Sequence, residues 1–231
     1  MKRLILLIVL IALFGCKEAD TADVDTTPVD TTPVVVIPEP EPEYVNWGEE
    51  FVKYALTYEG IQETSGPNSS PIIDQFQVYS GFDPKAGAPW CAMFTNWVQG
   101  KTLERYDLKL HYKSARVSWI RKYALKNKYL YKIKFAKGLI YGIDTAEEGD
   151  QIIWLSGFSN ELYPDLPGHT GFIVSETTPG NFKTIEGNTG PGAAGSQRDG
   201  DGVYVRNRSI SLTSKFHIDM LITPIYPEVE K

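Results

Sequence analysis

From residue 47 onward the apolar positions recur first at the helical period and then at the strand period. Residues 49–58 place Phe51, Tyr54, Ala55 and Tyr58 on one face, with Gly60 as the stop, and predict a helix. Residues 71–79 predict a second, with Ile72, Ile73, Phe76 and Tyr79 facing inward. After the turn-rich stretch 81–89, Cys91, Phe94 and Val98 share one face, with Trp97 beside them. That spacing puts Cys91 in the first turn of a buried helix. Residues 151–155, 171–175, 182–188, 203–208 and 216–222 are short, rich in β-branched and aromatic residues, and separated by Gly, Pro, Asn and Asp. Helices followed by antiparallel strands predict an α+β fold.

The N-terminus follows other rules. Lys2 and Arg3 precede an apolar run over residues 4–14 that ends at Gly15-Cys16. At about 1.5 Å per residue this run is too short to cross a hydrocarbon core of roughly 30 Å, and it reads as a secretory signal over residues 1–15. Leu13-Phe14-Gly15-Cys16 resembles the lipobox of bacterial lipoproteins, which implies cleavage before Cys16 and its lipidation. Lys17 stands where an inner-membrane retention aspartate often follows, which favours outer-membrane delivery. Residues 16–45 contain the repeat Val24-Asp25-Thr26-Thr27-Pro28, Val29-Asp30-Thr31-Thr32-Pro33 and then alternating Pro and Glu from 38 to 43. Such a segment buries too little apolar surface to offset its ordering entropy, and predicts a disordered tether able to reach on the order of 90 Å. The folded domain is expected over residues 46–231.

Composition narrows the classes. A chain of 231 residues, 42% hydrophobic and 23% charged, suits one globular domain; two cysteines exclude a disulfide scaffold and three histidines leave little for zinc. The net charge of −6 argues against a nucleic-acid partner, but residues 101–137 carry twelve of the 23 Lys and Arg residues against Glu104 and Asp107 alone. In an exported protein this stretch is either a solvated helical surface or a contact for anionic wall polymers, lipopolysaccharide or phospholipid, with Lys122, Lys126, Lys128, Lys132 and Lys134 as candidates. Asp199-Gly200-Asp201-Gly202 lacks the ligands of a calcium loop and reads as a hairpin turn.

With Cys16 lipidated, Cys91 is the one free thiol of the mature chain. Backbone N–H groups at a helix start favour a thiolate nucleophile there. A thiolate hydrolase needs an imidazole and a group that orients it. His111 lies in the basic stretch and His217 at the start of the last strand, whereas His169 sits between Gly168 and Thr170-Gly171 as a strand begins. In Thr184-Ile185-Glu186-Gly187-Asn188, period two puts Glu186 and Asn188 on one face. Glu186 is placed to accept the ring N–H of His169, and Asn188 to donate to an oxyanion or hold the thiolate.

Residues 60–68, Ala88-Pro89-Trp90-Cys91-Ala92-Met93-Phe94, Ser114-Ala115-Arg116, Gly149-Asp150-Gln151-Ile152-Ile153, Gly168-His169-Thr170-Gly171 and Glu186-Gly187-Asn188 come in the order seen in CHAP domains. These are papain-like cysteine amidases and peptidases, related to the NlpC/P60 group, that act on peptidoglycan. The resemblance spans roughly residues 50–225. It implies a papain-like fold of N-terminal helices on an antiparallel sheet, with Cys91 as nucleophile, His169 as general base and acid, Glu186 as the orienting third member and Asn188 as the fourth. It implies cleavage of an amide bond, as an N-acetylmuramoyl-L-alanine amidase or a stem or cross-bridge endopeptidase. Calcium-binding phage members carry acids around the nucleophile; here Met93 and only Asp83 stand nearby, so no metal or other cofactor is expected. The expected partners are peptidoglycan and, through the lipid, a membrane. A non-catalytic wall-binding or scaffold lipoprotein on the same fold is the alternative.

Overall fold

A computed structural model describes residues 43–135, 146–156, 166–178, 180–191, 200–209 and 216–231. The expected signal, the expected lipidation site at Cys16 and most of the expected tether lie outside these residues.

Four α-helices precede the sheet: α1 (Trp47–Leu56), α2 (Pro71–Tyr79), α3 (Cys91–Glu104) and α4 (Val117–Lys126). Local chemistry sets their starts. The Asn46 side chain accepts the N–H groups of Gly48 and Glu49 at the head of α1, with Glu49 and Glu50 in its first turn. Ser70 accepts Ile73 N–H at 3.3 Å to start α2, whose first residue is Pro71. The strands β1 (Tyr131–Phe135), β2 (Gln151–Ser156), β3 (Gly168–Thr178), β4 (Asn181–Thr189), β5 (Gly202–Ser209) and β6 (Phe216–Pro224) form one sheet in the order β1-β6-β2-β3-β4-β5, every pairing antiparallel.

Strand alternation divides the sheet into two faces. Phe172, Ile185 and Val203 pack against Phe51, Phe76, Phe94 and Val98 of α1, α2 and α3. Ile153, Leu155, Met220 and Ile222 pack against Val117, Ile120 and Ala124 of α4, together with Cys91 and Ala92. The opposite face carries a third buried group, Ile152, Trp154, Ile173, Phe182, Ile218 and Leu221.

Two features differ from the sequence reading, and a third agrees with it in part. α4 and β1 lie inside the basic stretch, where dense lysine masks a helical apolar stripe (Val117, Ile120, Ala124) and a strand alternation (Tyr131, Ile133). Gly200 and Asp201, read as part of a hairpin turn, lie between the consecutive antiparallel partners β4 and β5, and Asp201 O accepts Glu63 N–H at 2.8 Å. Residues 43–45, read as the end of the tether, pair with the C-terminus: Val45 N–H donates to Val229 O, and Lys231 N–H to Glu43 O.

Candidate active site

α3 presents Cys91 as its first residue, after Trp90, and no side chain caps this helix. Its first-turn N–H groups are therefore directed at whatever anion sits beside Cys91. The indole N–H of Trp90 donates to Glu63 at 3.1 Å, which ties the 60–69 loop to the helix start. The helix is held to the sheet by a buried polar bridge. The Gln151 amide of β2 donates to Thr95 Oγ1 at 3.1 Å, one turn beyond Cys91, and to Thr170 Oγ1 at 3.0 Å, next to His169.

His169 is the second residue of β3 and is almost fully buried, at 2% exposure; Glu186 on β4 has none. His169 Nε2 lies 2.8 Å from Glu186 Oε2. An ionised carboxylate only accepts, so Nε2 carries the proton and Nδ1 is the nitrogen left for the Cys91 thiol, which lies near enough to act on the charge of the ring. Burial alone would push the His169 pKa down. The charge and hydrogen bond of Cys91, followed by those of Glu186, outweigh it and raise the value to about 9. Burial would likewise push Glu186 up, but hydrogen bonds and charges from Arg208 and His169 hold it at about 2.

Two partners of Glu186 were not anticipated. Thr184 Oγ1 donates to Oε1 at 2.5 Å, and Arg208 on β5 donates through Nε to Oε1 at 2.7 Å and through Nη2 to Oε2. Thr184 was within reach of the period-two argument, being two residues before Glu186 on the same strand. Arg208 was not, because its contact depends on the β4–β5 register.

Asn188 is buried, but its position departs from simple alternation. Its φ is +54°, and the register with β5 shifts between Glu186 and Thr189, so period two does not carry through to Asn188. His111 stacks on Tyr226 with ring centroids 4.4 Å apart, and its Nε2 lies 2.9 Å from Ile225 O. His217 occupies a β6 position paired with Leu155.

The basic stretch is divided by the fold. Lys101 and Lys113 lie over the Tyr79 ring and Arg105 over Tyr54. Arg121 is buried against Asp219 at 2.6 Å, and Lys134 pairs with Asp150 at 2.9 Å. Lys122, Lys126, Lys128 and Lys132 remain exposed, but Lys132 leaves β1 on the side opposite Tyr131 and Ile133, beside Glu147 and Glu148. Lys122 and Lys126 belong to α4, on the helical side of the sheet.

No family model, curated protein or solved structure matches the chain. The residues therefore carry the functional argument. A thiol at an uncapped helix start, an imidazole beside it and an ionised carboxylate behind the imidazole together can generate a nucleophile and deliver a proton.

Proposed function

We propose that the chain is a lipid-anchored cysteine hydrolase of the bacterial envelope, CHAP-like in fold, that cleaves an amide bond of peptidoglycan. The observation that carries this reading is the buried His169–Glu186 hydrogen bond, with Cys91 at the head of α3 near enough to act on the imidazole. The Cys91 thiolate attacks the scissile carbonyl, and the first-turn N–H groups of α3 face the developing oxyanion. As the C–N bond breaks, His169 gives its Nδ1 proton to the leaving amine and a thioester remains. Water then attacks the thioester, His169 takes its proton, and the thiolate departs. Glu186 keeps Nε2–H in place and stabilises the imidazolium throughout. The export signal, the lipobox and the tether support a position at the envelope, where the tether spans from membrane to wall.

Incubation of purified sacculi with the wild-type protein and with Cys91→Ala, followed by mass spectrometry of the soluble fragments, tests the reading. Release by the wild type alone is the expected result, and the fragment masses distinguish a muramoyl-L-alanine amidase from an endopeptidase. Equal release by both proteins would sink the enzyme and leave the wall-binding alternative.

A further inference from the structure

Four neighbouring strands each send one residue to the same face of the sheet. Trp154 on β2 and His169 on β3 are direct partners. Glu186 on β4 lies opposite Gly171, two residues beyond His169, and Arg208 on β5 lies opposite Phe182, four residues before Glu186. From there the long Arg208 side chain slants back along the sheet. Its Nε meets Oε1 of Glu186 at 2.7 Å while Nη2 bonds the other oxygen, and Nη2 also lies 3.4 Å from Thr189 Oγ1. The guanidinium lies over the Trp154 ring, 5.6 Å from its centroid. The same indole leans against the His169 ring, with centroids 5.6 Å apart and a 41° tilt.

We propose that Arg208 is a positioning residue of the active site. It grips both oxygens of Glu186 and, braced on the Trp154 ring that also backs His169, fixes the carboxylate where the imidazole needs its acceptor. This inference rests on the hydrolase reading above. The physical reason is the geometry of the fork. Without Arg208 the carboxylate would keep one hydrogen bond on each oxygen, from Thr184 Oγ1 and from His169 Nε2, whereas the planar fork adds two N–H donors whose fixed mutual geometry sets both its plane and its direction. A buried carboxylate also needs a compensating charge, and His169 supplies one only while protonated. During the acylation step proposed here His169 gives up its proton, and Arg208 is then the cation that remains on Glu186. Lysine would supply that charge without the planar fork.

The test uses the full chain carrying Arg208→Lys or Arg208→Met, with two readouts. Turnover of soluble muropeptides gives kcat and KM, and alkylation of Cys91 by iodoacetamide across pH 5–9, quantified on its own peptide, reports the thiol–imidazole pair without any substrate. Arg208→Lys is expected to fold, to keep KM, and to lose about tenfold or more in kcat, the usual range for a group that orients a catalytic ligand. Alkylation at pH 6 should slow in Arg208→Lys and slow further in Arg208→Met, because a displaced Glu186 no longer supports the imidazolium. A folded Arg208→Lys protein with wild-type kcat and a wild-type alkylation profile overturns the proposal. So does a loss in both readouts that only tracks the fraction unfolded in a thermal melt. Failure of the hydrolase reading looks different: the wild type would then release nothing from sacculi that Cys91→Ala does not, while the alkylation comparison would still report on Arg208.

Discussion

A Cβ at residue 171 would stand 2.6 Å from Cγ of Glu186 and 2.6 Å from Ile185 O, so Gly171 makes the room in which Glu186 sits. Gly171→Ala should displace the carboxylate and lower kcat by about tenfold or more while the helical circular-dichroism signal persists; unchanged turnover would refute this use of the glycine. The two titrating neighbours also set a pH window for stability. Glu186, held at about 2 against an ordinary 4.5, contributes stability above pH 4.5 that is lost as pH falls through 2. His169, raised from 6.5 to about 9, contributes stability below pH 6.5 that is lost as pH rises through 9. These two groups therefore predict a plateau from about pH 4.5 to 6.5. Thermal melts of His169→Ala should lose the alkaline decline between pH 6.5 and 9, and an identical decline in both proteins would contradict the assignment.

At the scale of elements, the site depends on how α3 and α4 are fastened to the sheet. Gln151 bonds both Thr95 of α3 and Thr170 of β3, so Gln151→Leu removes a polar link between the helix that carries Cys91 and the strand that carries His169. The expected cost is about 1–3 kcal/mol in denaturant unfolding, with a fall in kcat; a loss of neither would show that apolar packing alone sets the spacing. The second fastening lies at a bulge. Trp154 pairs with Ile218 and Ile153 with Met220, which leaves Asp219 as the extra residue of β6, and it meets Arg121 of α4 at 2.6 Å. Both groups are buried, so Asp219→Ala strands a guanidinium and should cost about 3–5 kcal/mol, measured in the same unfolding experiment. A cost below about 1 kcal/mol would mean that Arg121 finds water or another partner.

At the scale of the whole molecule, residues 43–47 are tied to the C-terminus: Glu43 and Val45 bond Lys231 and Val229, and the Trp47 indole donates to Pro227 O at 3.2 Å. Chains beginning at residue 42 and at residue 47 are predicted to differ. The first should melt like the full chain and keep its activity on soluble muropeptides, and the second should melt several degrees lower, since ΔΔG of about 1 kcal/mol shifts Tm by roughly 2–8 °C in domains of this size range. Equal melting temperatures would show that the terminal pairing contributes nothing. Charge is also organised at this scale. Residues 101–137 are strongly basic; Arg121 and Lys134 are paired with Asp219 and Asp150, whereas Lys101, Arg105 and Lys113 lie over aromatic rings that hold them in place without cancelling their charge.

What local chemistry dictates was legible in the chain itself. The helix at 71–79, the start of α3 at Cys91 and the cores of β2–β6 follow from periodicity and capping, which neighbouring residues determine. His169 and Glu186 were identifiable because glycine spacing and strand alternation are local too, and the 2.8 Å contact between them agrees. α4 and β1 escaped because their apolar positions are diluted by lysine, and burial against the sheet, not propensity, settles them. Local pattern also stops short wherever register enters. A shift between Glu186 and Thr189 breaks the alternation at Asn188, and an extra residue in β6 turns Asp219 toward α4. Arg208 reaches Glu186 only because β5 pairs with β4 in one particular alignment. Strand register is set by long-range pairing and by burial of whole faces, so the grip of Arg208 on Glu186 is a property of the tertiary structure alone.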